Sequence, residues 1–360
     1  MKEHTLLITG AAGYVGSMLV HQFSERKDVR KIICLDKEKR PELLEGLDKI
    51  VWINANTSDG GWQETVKAEK PDIIIHTAWQ IRELYGKRDL QWRWNIDGSD
   101  AVFDFAFSTP GIKKIIHFST VASYGARNDN TLEHKFTEDE PLRDSEYLYA
   151  IEKKVSEEHL KHKYQSLRAR SSVLSVSIIR PASITGPKGK FMRDSFGLQS
   201  VLSGKFKDGK KSFSHRLTSL FVAWMPVTAK WCRQFIHEDD ICDIVAHLAF
   251  DDSVQNSSGF EIYNACPPGP VVLGNDMAKA VGKKTLKVQP WMIRIVFCLA
   301  WNLTHGKIPT SRGGWKSYSY PIIVDGSKIT RKLGLKYRMN SLDAFTKEEG
   351  RYMRFVSRGL

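Results

Sequence analysis

The chain has 360 residues, of which 41% are hydrophobic and 26% are charged. This composition excludes disorder, collagen and a coiled coil as descriptions of the whole chain, and the length predicts about two domains or one large α/β unit. The 54 lysines and arginines exceed the 41 aspartates and glutamates by 13. Because these charges are dispersed and accompany no nucleic-acid-binding motif, we expect no nucleic acid; the excess indicates either a solvated surface or an anionic small ligand such as a nucleotide.

Targeting and metal signals are lacking in the sequence. It contains no run of about 20 uncharged apolar residues, so no conventional membrane span is expected, and its first residues lack the apolar core of a secretory signal. Five cysteines are scattered without a CxxC pair and predict buried, reduced thiols in a cytoplasmic protein. The eleven histidines form no HExxH motif or Cys/His cluster, so no metal is expected.

The first forty residues follow the order of a dinucleotide-binding βαβ unit. An apolar run, Thr5–Thr9, leads into a glycine turn and an apolar-periodic stretch, and a second apolar run, Lys31–Leu35, follows. In such a unit Gly10 permits the tight turn, Gly13 lets the backbone approach a pyrophosphate, and Gly16 allows close helix–strand packing. The helix N-terminus offers N–H groups and a positive dipole end to the phosphates.

Asp36 closes this unit, 20 residues after Gly16. A carboxylate at this position accepts hydrogen bonds from the adenosine ribose hydroxyls and repels a 2′-phosphate. We therefore expect NAD rather than NADP, a preference that Lys37 and Lys39 reduce without reversing.

Further apolar runs alternate with helical patterns and predict a parallel sheet with helices on both faces, whose ligands bind beyond the carboxyl ends of the strands. The predicted strands are Ile50–Ile53, Ile73–Ile75, Ile115–Phe118, Val176–Ile179 and Glu261–Tyr263. The predicted helices are Gly61–Lys70, Leu90–Ser108, Asp144–Tyr164 and Asp239–Phe250.

The alternation weakens after Pro181. We expect an α/β protein with a Rossmann-type doubly wound parallel sheet formed by residues 1–181, to which residues 233–264 return. Residues 182–232 and 265–360 are predicted to form a smaller, C-terminal substrate-binding part.

Three candidate catalytic side chains follow strand ends. Thr120 ends the run that begins near Lys114, and Tyr149 and Lys153 lie four residues apart in a helical pattern, with Asp144 or Ser145 as the expected N-cap. An ammonium beside a phenol lowers the phenol pKa, so Tyr149 could act as a general base with Thr120 bonded to the same substrate oxygen. The same spacing is also common in ordinary exposed helices, and the upstream glycine turn together with a hydroxyl residue at a strand end favours catalysis.

Eight motifs in order resemble those of the extended short-chain dehydrogenases/reductases, the NAD-dependent epimerase/dehydratase family, over nearly the whole chain. They are TGAAGYVG (Thr9–Gly16), DIIIHTAW (Asp72–Trp79), Asn95, HFSTVASYG (His117–Gly125), YAIEK (Tyr149–Lys153), IIRPASITGP (Ile178–Pro187), RQFIHEDDI (Arg233–Ile241) and VDGSKITRKLG (Val324–Gly334).

The resemblance implies roles for particular residues. Thr120, Tyr149 and Lys153 would be catalytic, with Asn95 ordering a water or Lys153. The implied NAD-binding residues are Gly10, Ala12, Gly13, Tyr14, Val15, Gly16, Asp36, Asn56, Thr77, Ala78, Tyr149, Lys153 and Pro181. The implied substrate-binding residues are Thr120, Ser183 and Arg233, and Arg233 matches an arginine that contacts the diphosphate in sugar-nucleotide epimerases.

Some positions depart from the family pattern. Ser183 and Thr185 replace the Asn and Tyr of one motif, and Gln234 replaces an acid beside Arg233, which weakens the match to sugar-nucleotide contacts. Val121 and Ala122 stand where dehydratases carry Asp-Glu, so a 4,6-dehydratase is not expected.

Two apolar segments stand outside these motifs. Trp291–Trp301 is apolar except for Arg294, and Leu217–Trp231 is interrupted by Pro226 and Lys230. Neither is long enough to span a bilayer. A core or lid helix is the favoured interpretation. The alternative is an interfacial helix on anionic lipid, with a lipid-linked or steroid-like substrate.

The leading functional interpretation is an NAD-dependent epimerase of a nucleoside-diphosphate sugar, acting by transient hydride transfer to bound NAD. The alternative is an NAD-dependent dehydrogenase or ketoreductase of a hydrophobic, steroid-like alcohol. Net NADH formation would distinguish this enzyme from the epimerase. A nucleotide-binding regulatory protein without catalysis is disfavoured, since Thr120, Tyr149 and Lys153 are all present. The expected partner is a small-molecule substrate, a nucleotide-sugar. A homodimer is left open, and a peripheral membrane contact is not favoured.

Overall fold

The computed structural model describes residues 3–168, 174–189, 224–251, 259–280 and 282–353. The strands in these ranges are β1 (His4–Thr9), β2 (Val29–Asp36), β3 (Ile50–Asn54), β4 (Ile73–His76), β5 (Lys114–Phe118), β6 (Ser175–Pro181), β7 (Ser183–Thr185), β8 (Trp224–Val227), β9 (Cys232–Arg233), β10 (Phe235–His237), β11 (Phe260–Ala265), β12 (Val272–Leu273) and β13 (Lys284–Lys287).

The α-helices in the same ranges are α1 (Tyr14–Ser24), α2 (Trp62–Ala68), α3 (Arg88–Trp92), α4 (Gly98–Ser108), α5 (Leu148–Arg168), α6 (Glu238–Phe250), α7 (Gly274–Ala280), α8 (Pro290–Leu303), α9 (Gly314–Ser317), α10 (Ser327–Leu333) and α11 (Ser341–Thr346). Short 3₁₀ turns occur at Glu42–Leu44 and Val121–Tyr124, and a π turn at Arg93–Asp97 joins α3 to α4.

Seven parallel strands form the central sheet in the order β3-β2-β1-β4-β5-β6-β11. The strand order reverses between β1 and β4, and in such sheets a ligand binds at this switch point. The predicted Rossmann-type doubly wound sheet is therefore confirmed.

Side chains of each strand alternate between two apolar cores. Leu6 and Ile8 of β1 pack with α1 and α6 on one face, whereas Leu7 packs with α2, α4 and α5 on the other. Because helices cover both faces, every position of the central strands β1, β4, β5 and β6 is buried, and these strands read largely as apolar runs. This burial explains why the apolar runs located the strands from the sequence.

Helix α5 begins later than predicted. Neither Asp144 nor Ser145 caps it, because the Asp144 carboxylate accepts a hydrogen bond from Lys154 (2.9 Å) and the Ser145 hydroxyl accepts one from the Tyr147 N–H (3.0 Å) just before the helix. The helix starts at Leu148, one residue before Tyr149.

The smaller part is built from short strand pairs. Strand β9 pairs with β12 and β8 pairs with β13, and a third apolar cluster joins them, formed by Val227, Trp231, Phe235, Val272, Met277 and Ala344. Of the predicted apolar segment Leu217–Trp231, residues 217–223 lie outside the described residues. The remainder is β8 and a turn, not a helix.

Helix α8 is not a core helix, which was one of the two expectations for this segment; its role as a lid over the substrate pocket stays a prediction. Only Ile293 and Phe297 of this helix are buried, and its other face is exposed. Cys298 is exposed there as well, so the prediction of buried thiols holds for the other four cysteines and is wrong for this one.

In the described part of the chain, no helix has the length and apolar character needed to cross a membrane.

The packing of Gly16 yields a stability prediction. A Cβ at Gly16 would overlap the Gly10 carbonyl oxygen, whereas a Cβ at Gly60 would meet open space. We expect Gly16→Ala to lower the free energy of unfolding by about 1–3 kcal/mol and Gly60→Ala to change it by roughly 0.5 kcal/mol or less. Urea unfolding measures both, and equal stabilities would contradict the role of this contact.

Candidate active site

The glycine turn brings the ends of β1 and β4 together. Gly10 has a φ of +72°, and a Cβ there would lie 2.5 Å from the Ala78 backbone nitrogen, so glycine is required on both counts. Thr77 fixes the second strand, since its hydroxyl donates to the Thr9 carbonyl (2.7 Å). Helix α1 starts after Gly13, which has no side chain to cap its first N–H groups. This is the geometry of an anion-binding helix start.

A cavity of about 450 Å³ opens at this edge of the sheet. Eight of the predicted cofactor or catalytic residues line it: Gly10, Ala12, Gly13, Asp36, Asn56, Thr77, Ala78 and Asn95. Seven others do not line it: Tyr14, Val15, Gly16, Thr120, Tyr149, Lys153 and Pro181. The glycine turn at Gly10 fits the phosphates of a dinucleotide, and the Asp36 carboxylate at the end of β2 fits its ribose.

Asp36 is held in place by backbone donors. Its carboxylate accepts hydrogen bonds from the N–H groups of Ala12 and Glu38, both at 2.9 Å. The ammonium of Lys37 lies 3.8 Å from the Trp94 ring centroid and 3.7 Å from the Glu38 carboxylate. Lys37 is thus engaged by protein groups, and Trp94 is a cavity-lining residue that the sequence did not single out.

The side-chain oxygen of Asn56 is engaged in hydrogen bonds within its own turn. Its side-chain oxygen accepts hydrogen bonds from the Ser58 N–H (3.1 Å) and the Ser58 hydroxyl (3.2 Å). The amide nitrogen is the group left to face the cavity that Asn56 lines.

Thr120 and Tyr149 meet beyond the end of β5. The Thr120 hydroxyl lies beside the Tyr149 phenol and opposes the rise of its pKa, and it accepts the Ala122 N–H at 3.2 Å, which starts the 3₁₀ turn. Burial raises the pKa of Tyr149 to about 12. The expected lowering of this pKa by Lys153 is therefore wrong for the cofactor-free protein.

Lys153 is held away from the Tyr149 phenol. Its ammonium donates to the Phe118 carbonyl and lies 3.4 Å from the Trp79 ring centroid. Burial lowers the pKa of Lys153 well below its usual value, although the carboxylates of Glu157 and Glu152 oppose that shift. Trp79 was not predicted as a functional residue, and it places a cavity-lining ring against Lys153, the candidate catalytic lysine.

Asn95 makes no hydrogen bond to Lys153, one of the two roles that the resemblance implied; the other, ordering a water, stays a prediction. Its side chain exchanges two hydrogen bonds with the Gln80 backbone (2.7 and 3.0 Å) and donates to the Glu152 carboxylate at 2.7 Å. Gln91 donates to the same carboxylate at 3.1 Å. Burial raises the pKa of Glu152. Through their hydrogen bonds, Asn95 and Gln91 position the loop at Gln80 and the helix that carries Lys153.

Two stacked histidines lie behind the lysine. The rings of His76 and His117 are 5.3 Å apart, and both are fully buried. Burial and the nearby Lys153 charge lower the pKa of His76 to about 3 and that of His117 well below its usual value. Both rings are therefore neutral, and they add no positive charge beneath Lys153.

A buried ion pair joins the helix that carries Tyr149 to the sheet. Arg180 of β6 donates to both carboxylate oxygens of Glu157 (2.6 to 3.1 Å), and its remaining nitrogen reaches the Tyr124 hydroxyl at 2.7 Å. Ser119 donates to the same carboxylate. Glu157 lies one helical turn beyond Lys153 and Ser119 precedes Thr120, so this network sets both catalytic segments.

Two of the three predicted substrate residues, Ser183 and Arg233, lie together, whereas Thr120 lies with Tyr149 beyond β5. The Arg233 guanidinium is 3.4 Å from the Ser183 hydroxyl and 4.9 Å from the Tyr318 ring centroid. Gln234, which replaces the family's acid, pairs its side-chain amide with the backbone of Val324 (2.8 and 3.1 Å). Gln234 therefore joins the start of β10 to the chain near Val324. Because it replaces the family's acid, Arg233 has no carboxylate at the neighbouring position.

A buried glutamate missed by sequence reasoning faces the glycine turn. Glu238, where the family motif has valine, accepts hydrogen bonds from the Tyr14 hydroxyl and from the N–H groups of Lys188 and Gly189 (both 3.0 Å). The Lys188 ammonium donates to the Ser17 hydroxyl at 2.5 Å, and burial lowers its pKa to about 8. The valine-to-glutamate departure was the available signal for this cluster.

Sheet order, glycine cradle and the Thr–Tyr–Lys set define a dinucleotide-dependent enzyme of the extended short-chain dehydrogenase/reductase type. The model of the NAD dependent epimerase/dehydratase family matches residues 6–266, so the chain belongs to that family. This confirms the predicted family and, with it, NAD as the cofactor of the family.

Relatives and solved structures resemble the chain at low identity. A UDP-glucose 4-epimerase of Mycolicibacterium smegmatis is 30% identical over 51% of this chain, and an uncharacterized protein of Methanocaldococcus jannaschii is 28% identical over 46%. The chain spans 56% and 53% of the lengths of these two relatives. The Bordetella bronchiseptica enzyme WbmG, solved with NAD and UDP, has a TM-score of 0.68 at 20% identity, over 99% of this chain and 96% of that one. This likeness supports the fold.

Asp36 yields a prediction about cofactor preference. Asp36→Ala is expected to weaken NAD binding by roughly 10- to 100-fold, because it removes charge-assisted hydrogen bonds, and to narrow the gap to NADP by removing a charge that repels the 2′-phosphate. Calorimetric titration with NAD and with NADP measures the two affinities and their ratio. The control is Glu45→Ala, an exposed acid that does not line the cavity, and equal affinities in the unmodified protein would disprove the preference.

Proposed function

We propose that this protein is an NAD-dependent epimerase of a nucleoside-diphosphate sugar. The observation that carries the proposal is the placement of Thr120 beside the buried Tyr149 phenol, on the helix that also carries Lys153 one turn further along. NAD, when bound, supplies the reversible hydride acceptor that such an epimerisation needs and adds a positive charge to the site. The relative from Mycolicibacterium, named a UDP-glucose 4-epimerase, supports a uridine nucleotide sugar as substrate.

The protein's own groups account for the proton transfer. The Thr120 hydroxyl orients the sugar hydroxyl, and the Tyr149 oxygen accepts its proton and later returns it. Burial holds the Tyr149 pKa near 12, so the phenol is protonated near neutral pH unless positive charge enters the site. Arg233, beside Ser183, supplies a fixed cation for the diphosphate.

The proposal is tested with UDP-glucose that carries deuterium on the reacting carbon. An epimerase forms the 4-epimer, keeps the deuterium on that carbon and accumulates no NADH. Loss of deuterium to solvent, or net NADH formation, would rule out this reaction.

A dehydrogenase or ketoreductase of a hydrophobic alcohol is the second candidate. One aromatic ring, that of Tyr318, lies 4.9 Å from the Arg233 guanidinium, and Tyr318 in turn stacks on Trp231 (5.5 Å) and lies 5.2 Å from Phe297. These rings favour an apolar substrate. Stoichiometric NADH formation with a steroid-like alcohol would establish this activity instead.

Tyr149→Phe tests the proposed base. The change keeps the ring and removes the titrating hydroxyl, so turnover should fall by about 10²–10⁴-fold while NAD binding persists. Because only the deprotonated phenol accepts a proton, turnover of the unmodified enzyme should rise with pH below the Tyr149 pKa, and the variant should lose that rise. Near-normal turnover in the variant would exclude Tyr149 as the base.

Arg233→Ala distinguishes the two substrate classes. If the substrate carries a diphosphate, the loss of a charge-assisted contact worth about 1.5–3 kcal/mol should weaken its binding roughly 10- to more than 100-fold, with NAD affinity unchanged. Titration with the nucleotide sugar and with NAD measures both affinities. Unaltered affinity for the true substrate would favour the hydrophobic alcohol.

A further inference from the structure

The outer face of α8 is an apolar ridge that no described part of the protein covers. It consists of the side chains of Trp291, Met292, Ile295, Val296, Leu299 and Leu303, whose exposed fractions run from 39% to 80%. Their spacing of three and four residues places them on one side of the helix, opposite the buried Ile293 and Phe297. A surface helix normally turns its polar side to water, so this helix is arranged for a second apolar contact.

The neighbouring strand pair extends the ridge. Leu286 of β13 and Trp224 of β8 are exposed to 52% and 49%, and the ammonium of Lys284 lies 5.5 Å from the Trp224 ring centroid. An exposed tryptophan with a cation beside it suits the boundary between headgroups and acyl chains, because its ring is apolar and its N–H is polar.

The charge around the ridge has a single sign. Residues 277–324 contain eight lysines and arginines and no aspartate or glutamate. Lys287 precedes the helix, Arg294 lies within it and Lys307 follows it, and all three are exposed. Each such cation near an anionic bilayer surface adds attraction that the ridge alone would lack.

We propose that the outer face of α8 docks this protein onto an anionic lipid bilayer surface, with the helix lying in the interface plane. An apolar helix face flanked by cations and bare of carboxylates is the pattern of such interfacial helices. A second copy of the chain fits less well, because a two-fold contact across this face would set Lys287, Arg294 and Lys307 against the same cations. The proposal does not depend on the substrate class.

Docking would bring the substrate side of the protein close to the bilayer. The buried side of α8 carries Phe297, whose ring is 5.2 Å from Tyr318, and Tyr318 in turn lies under the Arg233 guanidinium. Only the side chains of Phe297 and Tyr318 therefore lie between the docking face and Arg233, the candidate residue for binding the diphosphate.

Vesicle binding tests the proposal directly. The full chain is mixed with vesicles of phosphatidylcholine alone, or with vesicles in which roughly a third of the lipid is phosphatidylglycerol, and sedimented. We expect binding to the anionic vesicles, weaker binding to the neutral ones, and a decline as salt is raised. Leu299→Glu should lower the partition coefficient about tenfold or more, since it removes apolar burial and adds a negative charge.

A matched control separates the face from a general surface effect. Leu342→Glu places the same charge on α11 at a leucine exposed to 42%, against 55% for Leu299, and should leave vesicle binding unchanged. No binding of the unmodified chain to anionic vesicles, or equal losses in the two variants, would overturn the proposal. It would also be overturned if the unmodified chain dimerised without binding vesicles and Leu299→Glu made it monomeric.

Discussion

The ion pair between Arg180 and Glu157 is the contact on which the candidate active site depends. Both side chains are about 96% buried, and a buried ion pair is tolerated only when its remaining donors and acceptors are satisfied. Here Ser119 and Tyr124 satisfy them. The pair therefore joins β6 to α5, and the same hydrogen bonds fix the loop after β5. Removal of either charge would leave the other buried without a partner, at a cost of about 3–5 kcal/mol.

This anchoring is combined with an environment that disfavours charge at the reacting groups. Burial raises the pKa of Tyr149 to about 12 and lowers that of Lys153 well below its usual value, and both shifts favour the neutral forms. The neutral His76 and His117 behind Lys153 are consistent with this electrostatic design. Deprotonation of Tyr149 near neutral pH therefore requires positive charge that arrives with a ligand, which couples the proposed chemistry to cofactor binding.

Some of the site could be predicted from local sequence because its chemistry is carried by backbone geometry. Gly10, Gly13 and Asp36 line the cavity that the strand–glycine–helix order predicted, since the turn and the helix start are set by consecutive residues. Asn95 was placed by resemblance alone, and its partner is Glu152 rather than Lys153. Trp79 and Trp94 gave no local signal of their roles, because their partners, Lys153 and Lys37, lie far away in the chain.

The sequence by itself determined the parallel sheet, the order of its helices and the family, because apolar runs and spaced motifs reflect local periodicity that the fold preserves. Only the tertiary structure decided which groups are charged and which faces are covered. The pKa of Tyr149 depends on how deeply other segments bury it, and the exposure of α8 depends on what packs against its second face. Neither property is encoded in the residues' own neighbours, since an apolar helix has the same sequence pattern whether it lies in a core or on a surface.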